Sequence, residues 1–107
     1  MLRARSLLKL SFVTLMVGAG LGSAGCGGVW YTARINTVEG KVEQAKEVGA
    51  EQYAPYEYYS AKERVLKARE EASRADYGDA VDLLDEAETF AEKAIQQARA
   101  VRKGAGR

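Results

Sequence analysis

The sequence predicts an all-α fold, an antiparallel helical hairpin or a small three-helix bundle that follows a cleaved signal segment. Three observations predict it. Between Arg34 and Lys103 there is one proline and little glycine, and the strong helix formers alanine, glutamate, lysine and arginine dominate. Apolar residues in that stretch recur at three- and four-residue steps, the period of one helix face. Ahead of it, residues 1–25 run in the basic, apolar, small-residue order of a secretory signal.

In that leader, Arg3, Arg5 and Lys9 precede an uncharged stretch from Leu10 to Leu21, and Gly22-Ser23-Ala24-Gly25 leads to Cys26. The three basic residues would hold the N-terminus on the cytoplasmic side during insertion. A membrane-spanning helix needs about 20 predominantly apolar residues. This run is shorter and is diluted by Gly18, Gly20 and Gly22, so it reads as an export signal in preference to an uncleaved anchor.

Cys26 is the only cysteine, which excludes an intramolecular disulfide. Ser23-Ala24-Gly25-Cys26 resembles the lipobox of bacterial lipoproteins, in which a diacylglyceride is attached to the cysteine and cleavage makes it the first residue. Ala24, Gly25 and Cys26 match that pattern, and Ser23 stands where the family usually has leucine. The resemblance implies acyl chains such as palmitate on Cys26, each buried CH₂ contributing about 0.8 kcal/mol of membrane affinity. The other reading is ordinary secretory cleavage after Ala24, which releases a soluble helical protein with a free thiol.

Residues 26–33 are expected to form a lipid-anchored linker, with Gly27-Gly28 as a flexible spacer. Gly27, where an aspartate would signal retention in the inner membrane of enteric lipoproteins, leans towards the periplasmic side of the outer membrane. Trp30 and Tyr31 follow, suited either to the lipid headgroup region or to the end of a helix bundle.

The helical domain is expected over residues 34–103, with a tail at 104–107. In its first helix, Ile35, Val38, Val42, Ala45 and Gly49 make the narrowest stripe. Tyr53-Ala54-Pro55 ends it, and Pro55 suits the first turn of the second helix, with Glu57 just inside. Tyr58, Ala61, Val65, Ala68, Ala72 and Ala75 then share a face, with Glu63/Lys67 and Glu70/Arg74 as outer i,i+4 pairs.

The turn Asp76-Tyr77-Gly78-Asp79 separates the third helix, for which Asp79 is the expected N-cap. Ala80, Leu84, Ala87, Ala91, Ala94, Ala98 and Val101, flanked by Leu83, Phe90 and Ile95, give it the broadest apolar face. Arg99, Arg102 and Lys103 suit its C-terminal end. Alanine stripes allow close helix approach but bury little area, at about 25 cal/mol per Å². The 82 residues from Cys26 onward are near the size where stability is marginal, so the bundle should gain from a partner, a second copy or a membrane.

The stretch from Ala45 to Arg102, with its Ala54-Pro55-x-Glu57 helix start and Asp76-Tyr77-x-x-Ala80 turn, resembles an uncharacterised bacterial domain of unknown function found in small lipoproteins and exported proteins. Some relatives carry this region ahead of an outer-membrane-protein-A-like, peptidoglycan-binding domain, for which nothing is expected to leave room after Val101. The same turn is similar to a tetratricopeptide helix junction, although the length suffices for little more than one repeat.

Three of the 16 basic residues lie before Cys26 and none of the 15 acidic ones does, which leaves the remainder near −2. Such a balanced surface gives no reason to expect nucleic-acid binding. Histidine is absent and no phosphate-cradling glycine loop is present, so no catalytic residue, metal site or cofactor beyond the lipid on Cys26 is expected.

A hydrolase using Asp82, Asp85, Glu86, Glu88 and Glu92 remains an alternative, but these acids fall mostly on one polar helix face and read as solvated. Tyr53, Tyr56, Tyr58, Tyr59 and Tyr77 are the candidate partner contact, or else simply seal the bundle ends. The expected function is a membrane-anchored, non-catalytic interaction or structural module of the bacterial cell envelope. Its expected partners are membrane lipid through Cys26 and either an envelope protein or further copies of itself in a homo-oligomer. A self-associating coiled-coil spacer is the alternative architecture.

Overall fold

The computed structural model describes residues 27–105, so the leader, Cys26 and the last two residues lie outside it. Four helical segments follow one another: α1 over residues 27–47, the single turn α2 (Ala50–Tyr53), α3 (Pro55–Ser73) and α4 (Tyr77–Ala105). No strand occurs among the described residues. The arrangement is the three-helix alternative, with α2 forming the corner between α1 and α3.

Cross-helix contacts fix the directions. Arg34 meets Asp85 and Glu88 while Lys41 meets Glu88 and Glu92, so residue numbers rise together and α1 runs parallel to α4. Tyr56 of α3 lies against Phe90 of α4 whereas Arg64 pairs with Glu86, so the numbers run oppositely and α3 runs back antiparallel; Arg69 bridges it to Glu39 of α1.

The core follows the stripes legible in the sequence. One half gathers Ile35, Val38, Val65, Ala68, Ala80, Leu84 and Ala87. The other gathers Ala45, Ala50, Ala54, Tyr58, Ala94, Ile95 and Ala98 around the corner. Among the described residues, Leu84 and Val38 are the large side chains that are fully buried; alanines supply most of the rest and let the helices approach closely. No buried side-chain polar atom lacks a hydrogen-bond partner among the described residues.

The breaks fall elsewhere than the sequence suggests. The first comes at Gly49, which continues the apolar stripe in sequence but takes a left-handed φ of 86° and ends α1. A Cβ there would lie 3.0 Å from the Tyr53 ring, so both the left-handed backbone and the close approach of that ring favour glycine. Pro55 opens α3 as expected, one turn later.

The second break is Arg74-Ala75-Asp76. Asp76 N–H donates to the Glu71 carbonyl and Ala75 N–H to the Ala72 carbonyl, closing α3 in a Schellman motif with Ala75 at φ 61°. Ala75 therefore lies outside the helix whose stripe it was expected to join. Asp76 then caps α4, its carboxylate accepting the Asp79 N–H at 3.4 Å. Asp79 is thus a first-turn acid and not the cap, and Tyr77 and Gly78 are already helical.

Both ends of the expected domain extend. Residues 27–33 of the expected linker 26–33 are helical, and Gly27 and Gly28, expected as its flexible spacer, pack against the Tyr77 ring. Gly104 and Ala105 continue α4, and Val101 is exposed past the end of the core. Neighbouring helical residues override the intrinsic flexibility of isolated glycines, because each residue added to an existing helix gains a backbone hydrogen bond.

Candidate functional site

The five tyrosines do not form one surface. Tyr77 starts α4, and its ring lies 5.9 Å from that of Tyr31. Tyr56 is on α3, edge-on to Phe90 of α4 at 6.2 Å. From Tyr77 to Phe90 is about 20 Å of helix at 1.5 Å per residue, so Tyr77 belongs to the opposite end of the bundle from the others.

Within the corner group, Tyr58 is buried in the core, where burial raises its phenol pKa and Glu51 and Glu43 add to the rise. Tyr59 is half exposed and donates to Glu51 at 3.0 Å, which raises its pKa in turn. Lys62 lies over both rings. Tyr53 is half-buried against the corner core. Of these tyrosines Tyr56 and Tyr59 are exposed, whereas Tyr31, Tyr53 and Tyr77 are half-buried and Tyr58 is buried.

Trp30 separates from Tyr31 in the same way. Tyr31 packs against the core and its pKa is raised by burial, whereas Trp30 is 60% exposed and its neighbour Val29 is 72% exposed. These two apolar side chains point to solvent three and four residues after Cys26.

Of the acids of α4, Asp82, Asp85, Glu86 and Glu92 are exposed as expected, and Glu88 is half-buried. Glu88 accepts from Arg34 and from Lys41, each at 2.6 Å, while Asp85 takes Arg34 and Glu92 takes Lys41. Hydrogen bonds from Lys41 and Arg34 hold the Glu88 carboxyl below the usual carboxylate range, and the same bonds raise Lys41 and Arg34. A general acid needs its pKa raised; this carboxylate is held ionised and bridges helices instead. Sequence reasoning passed over Arg34 and Lys41. Their seven-residue spacing, matching that of Asp85 and Glu92, was the available signal.

Against α3, α1 is closed far less completely. The two helices are bridged by Arg69 and Glu39 alone among the described ion pairs, and hollows lie to either side of that bridge. One, of about 880 Å³, is lined by Val29, Tyr31, Ala72 and Tyr77 among others. The other, of about 660 Å³, is lined by Glu39, Gly40, Val42 and Glu43 of α1 and Lys62, Val65, Leu66 and Arg69 of α3. Leu66 is 62% exposed at its edge.

Glu71, Asp76 and Asp79 bring their carboxylates together at the α3–α4 turn. Asp76 is engaged as the cap of α4 and Glu71 lies 3.7 Å from Arg74, which accounts for the cluster structurally. Among the described residues, no helix is long and apolar enough to cross a membrane.

No curated protein and no solved structure matches the chain. Residues 33–105, which span nearly all of the three-helix bundle, match the family described as a domain of unknown function, DUF4398. The chain therefore belongs to the DUF4398 family.

Proposed function

We propose that this protein is a lipid-anchored, non-catalytic module of the bacterial cell envelope, held through Cys26 on the periplasmic side of the outer membrane, where it works by association. The observation that carries the reading is the exposure of Val29 and Trp30 on a helix directly after Cys26. Apolar side chains left in solvent beside a tether are favoured at a lipid interface, where an indole places its ring among headgroups. The leader and the small residues before Cys26 support the same end as the one facing the membrane.

In this reading α1, described from residue 27, starts one residue after the anchor, and a helix so close to it carries the bundle as a rigid body near the bilayer instead of on a loose leash. The ion-paired acids of α4 support a structural role for them.

Fractionation of cells expressing the full chain and its Cys26→Ala form tests the proposal. The wild-type protein is expected in the membrane fraction with Trp30 fluorescence quenched by brominated lipid. The Cys26→Ala form is expected in the soluble fraction with unquenched fluorescence. Equal distribution of the two forms overturns the reading.

A further inference from the structure

The open α1–α3 face has a pattern of charge and shape that specifies its occupant. Its α1 edge is acidic, with Glu39 and Glu43; its α3 edge is basic, with Lys62 and Arg69. Between them stand one protruding side chain, Leu66, and one gap, Gly40, where an added Cβ would meet nothing within 4 Å. Glu43 and Lys62 form no ion pair among the described residues; Lys62 rests over the Tyr58 and Tyr59 rings, and neither group has an opposite charge as its partner on this face.

We propose that this face is a homodimer interface, on which a second copy of the chain docks through a two-fold axis parallel to the helices. Two limiting two-fold axes in the interface plane bring the face against itself with its helices aligned. With the axis across the helices, α1 lies on α1 and α3 on α3, so Glu39 and Glu43 meet acids and Lys62 and Arg69 meet bases. With the axis along the helices, α1 lies on the partner's α3, and every acidic position faces a basic one. Like charges opposed across an interface destabilise it, so the second arrangement is selected.

The register agrees with the charges. Val65 shares one half of the core with Val38, and Tyr58 shares the other with Ala45, so each pair lies at about one height. A two-fold along the helices preserves height. Leu66 is one residue after Val65 and Gly40 two after Val38 on oppositely directed helices, which leaves them about 4.5 Å apart along the axis at 1.5 Å per residue. The leucine of each copy thus reaches the gap beside the glycine of the other. Glu43, two residues before Ala45, and Lys62, four after Tyr58, come within about 3 Å in height, well inside the reach of their side chains.

Two helices about 30 Å long and 10 Å wide present about 600 Å² per copy, or about 1,200 Å² in total, the lower end of stable interfaces. The pairing is accordingly weak in dilute solution. An axis along the helices also puts both copies of residue 27 at the same end, as two chains anchored in one bilayer require. That confinement, which rests on the proposed tether, raises the effective concentration and completes the association.

The test places a photoreactive p-benzoylphenylalanine at Leu66 in the full chain and irradiates it in membranes. The expected product has twice the mass of the chain, with the crosslinked peptide mapping to α1 around Gly40. Glu43→Lys and Lys62→Glu each lower its yield about tenfold, and the two together in one chain restore it, because opposite charges again face each other.

Circular dichroism of the same variants should be unchanged, since all three positions are exposed. No double-mass product, crosslinks to a different protein alone, or crosslinks from α3 to α3 overturn the proposal. The Cys26→Ala form, irradiated at high concentration, separates the two readings. A double-mass product from a chain whose wild type never enters the membrane fraction upholds the dimer and removes the tether.

Discussion

The two faces of α1 are built in opposite ways. Toward α4, Arg34 and Lys41 reach across to Asp85, Glu88 and Glu92, so four ion-pair contacts tie two parallel helices that no short loop could join. Toward α3, which the corner at Gly49 already places beside α1, Arg69 and Glu39 make the one bridge and Leu66 is left in solvent. Side-chain contacts concentrate where connectivity cannot fix the packing. The seam that the chain closes by connection is the one free to carry another surface.

Several substitutions break or sharpen that contrast. Leu84 lies beneath both seams, packed with Ile35, Val38 and Val65, and is fully buried. Leu84→Ala is expected to cost about 2–5 kcal/mol by denaturant melting, and in so small a core it unfolds a large share of the molecules at 37 °C. A loss below about 1 kcal/mol would mean that the alanine stripes hold the bundle without it.

Glu88→Ala removes the carboxylate shared by Arg34 and Lys41 and is expected to cost about 1–2 kcal/mol, less than a fully buried pair because the group keeps contact with water. The same carboxylate sets the acid limit. Its folded pKa lies below the ordinary value of 4.5, so its contribution is fully present above that value and is lost as pH falls through the folded pKa. Lys41 and Arg34 are raised, so their contribution holds from neutral pH up to the ordinary lysine value of 10.5. Melting temperature should therefore be flat from about pH 6 to 9 and fall below about pH 4.5, with a smaller fall in Glu88→Gln.

Glu39→Ala, on the open seam, is expected to change stability by less than about 0.5 kcal/mol. Equal costs for Glu39→Ala and Glu88→Ala would erase the distinction between the seams.

Much of this fold was legible because a helix repeats every 3.6 residues. Ile35, Val38, Ala45, Tyr58, Ala61, Val65, Ala80, Leu84 and Ala94 are buried where their spacing put them. The breaks were not legible, because Gly49 sits in phase with the stripe it terminates and Ala75 takes a left-handed conformation that alanine does not advertise. Neither was the seam between α1 and α4, since matching Arg34 and Lys41 to acids some fifty residues away requires knowing that the helices run parallel. The tyrosines were misgrouped for a related reason: Tyr77 is close to the others in composition and reading order, while α3 and α4 carry it to the far end. Cys26, the residue on which the functional reading turns, lies outside the described residues.

The intact mass of the protein extracted from membranes tests the central claim of a lipid-tethered module most directly. A chain that begins at Cys26 and carries the added mass of a diacylglyceride is the expected result, with no such addition in Cys26→Ala. A chain that begins at Gly25 with a free thiol, or one that retains its leader without acyl mass, would contradict it.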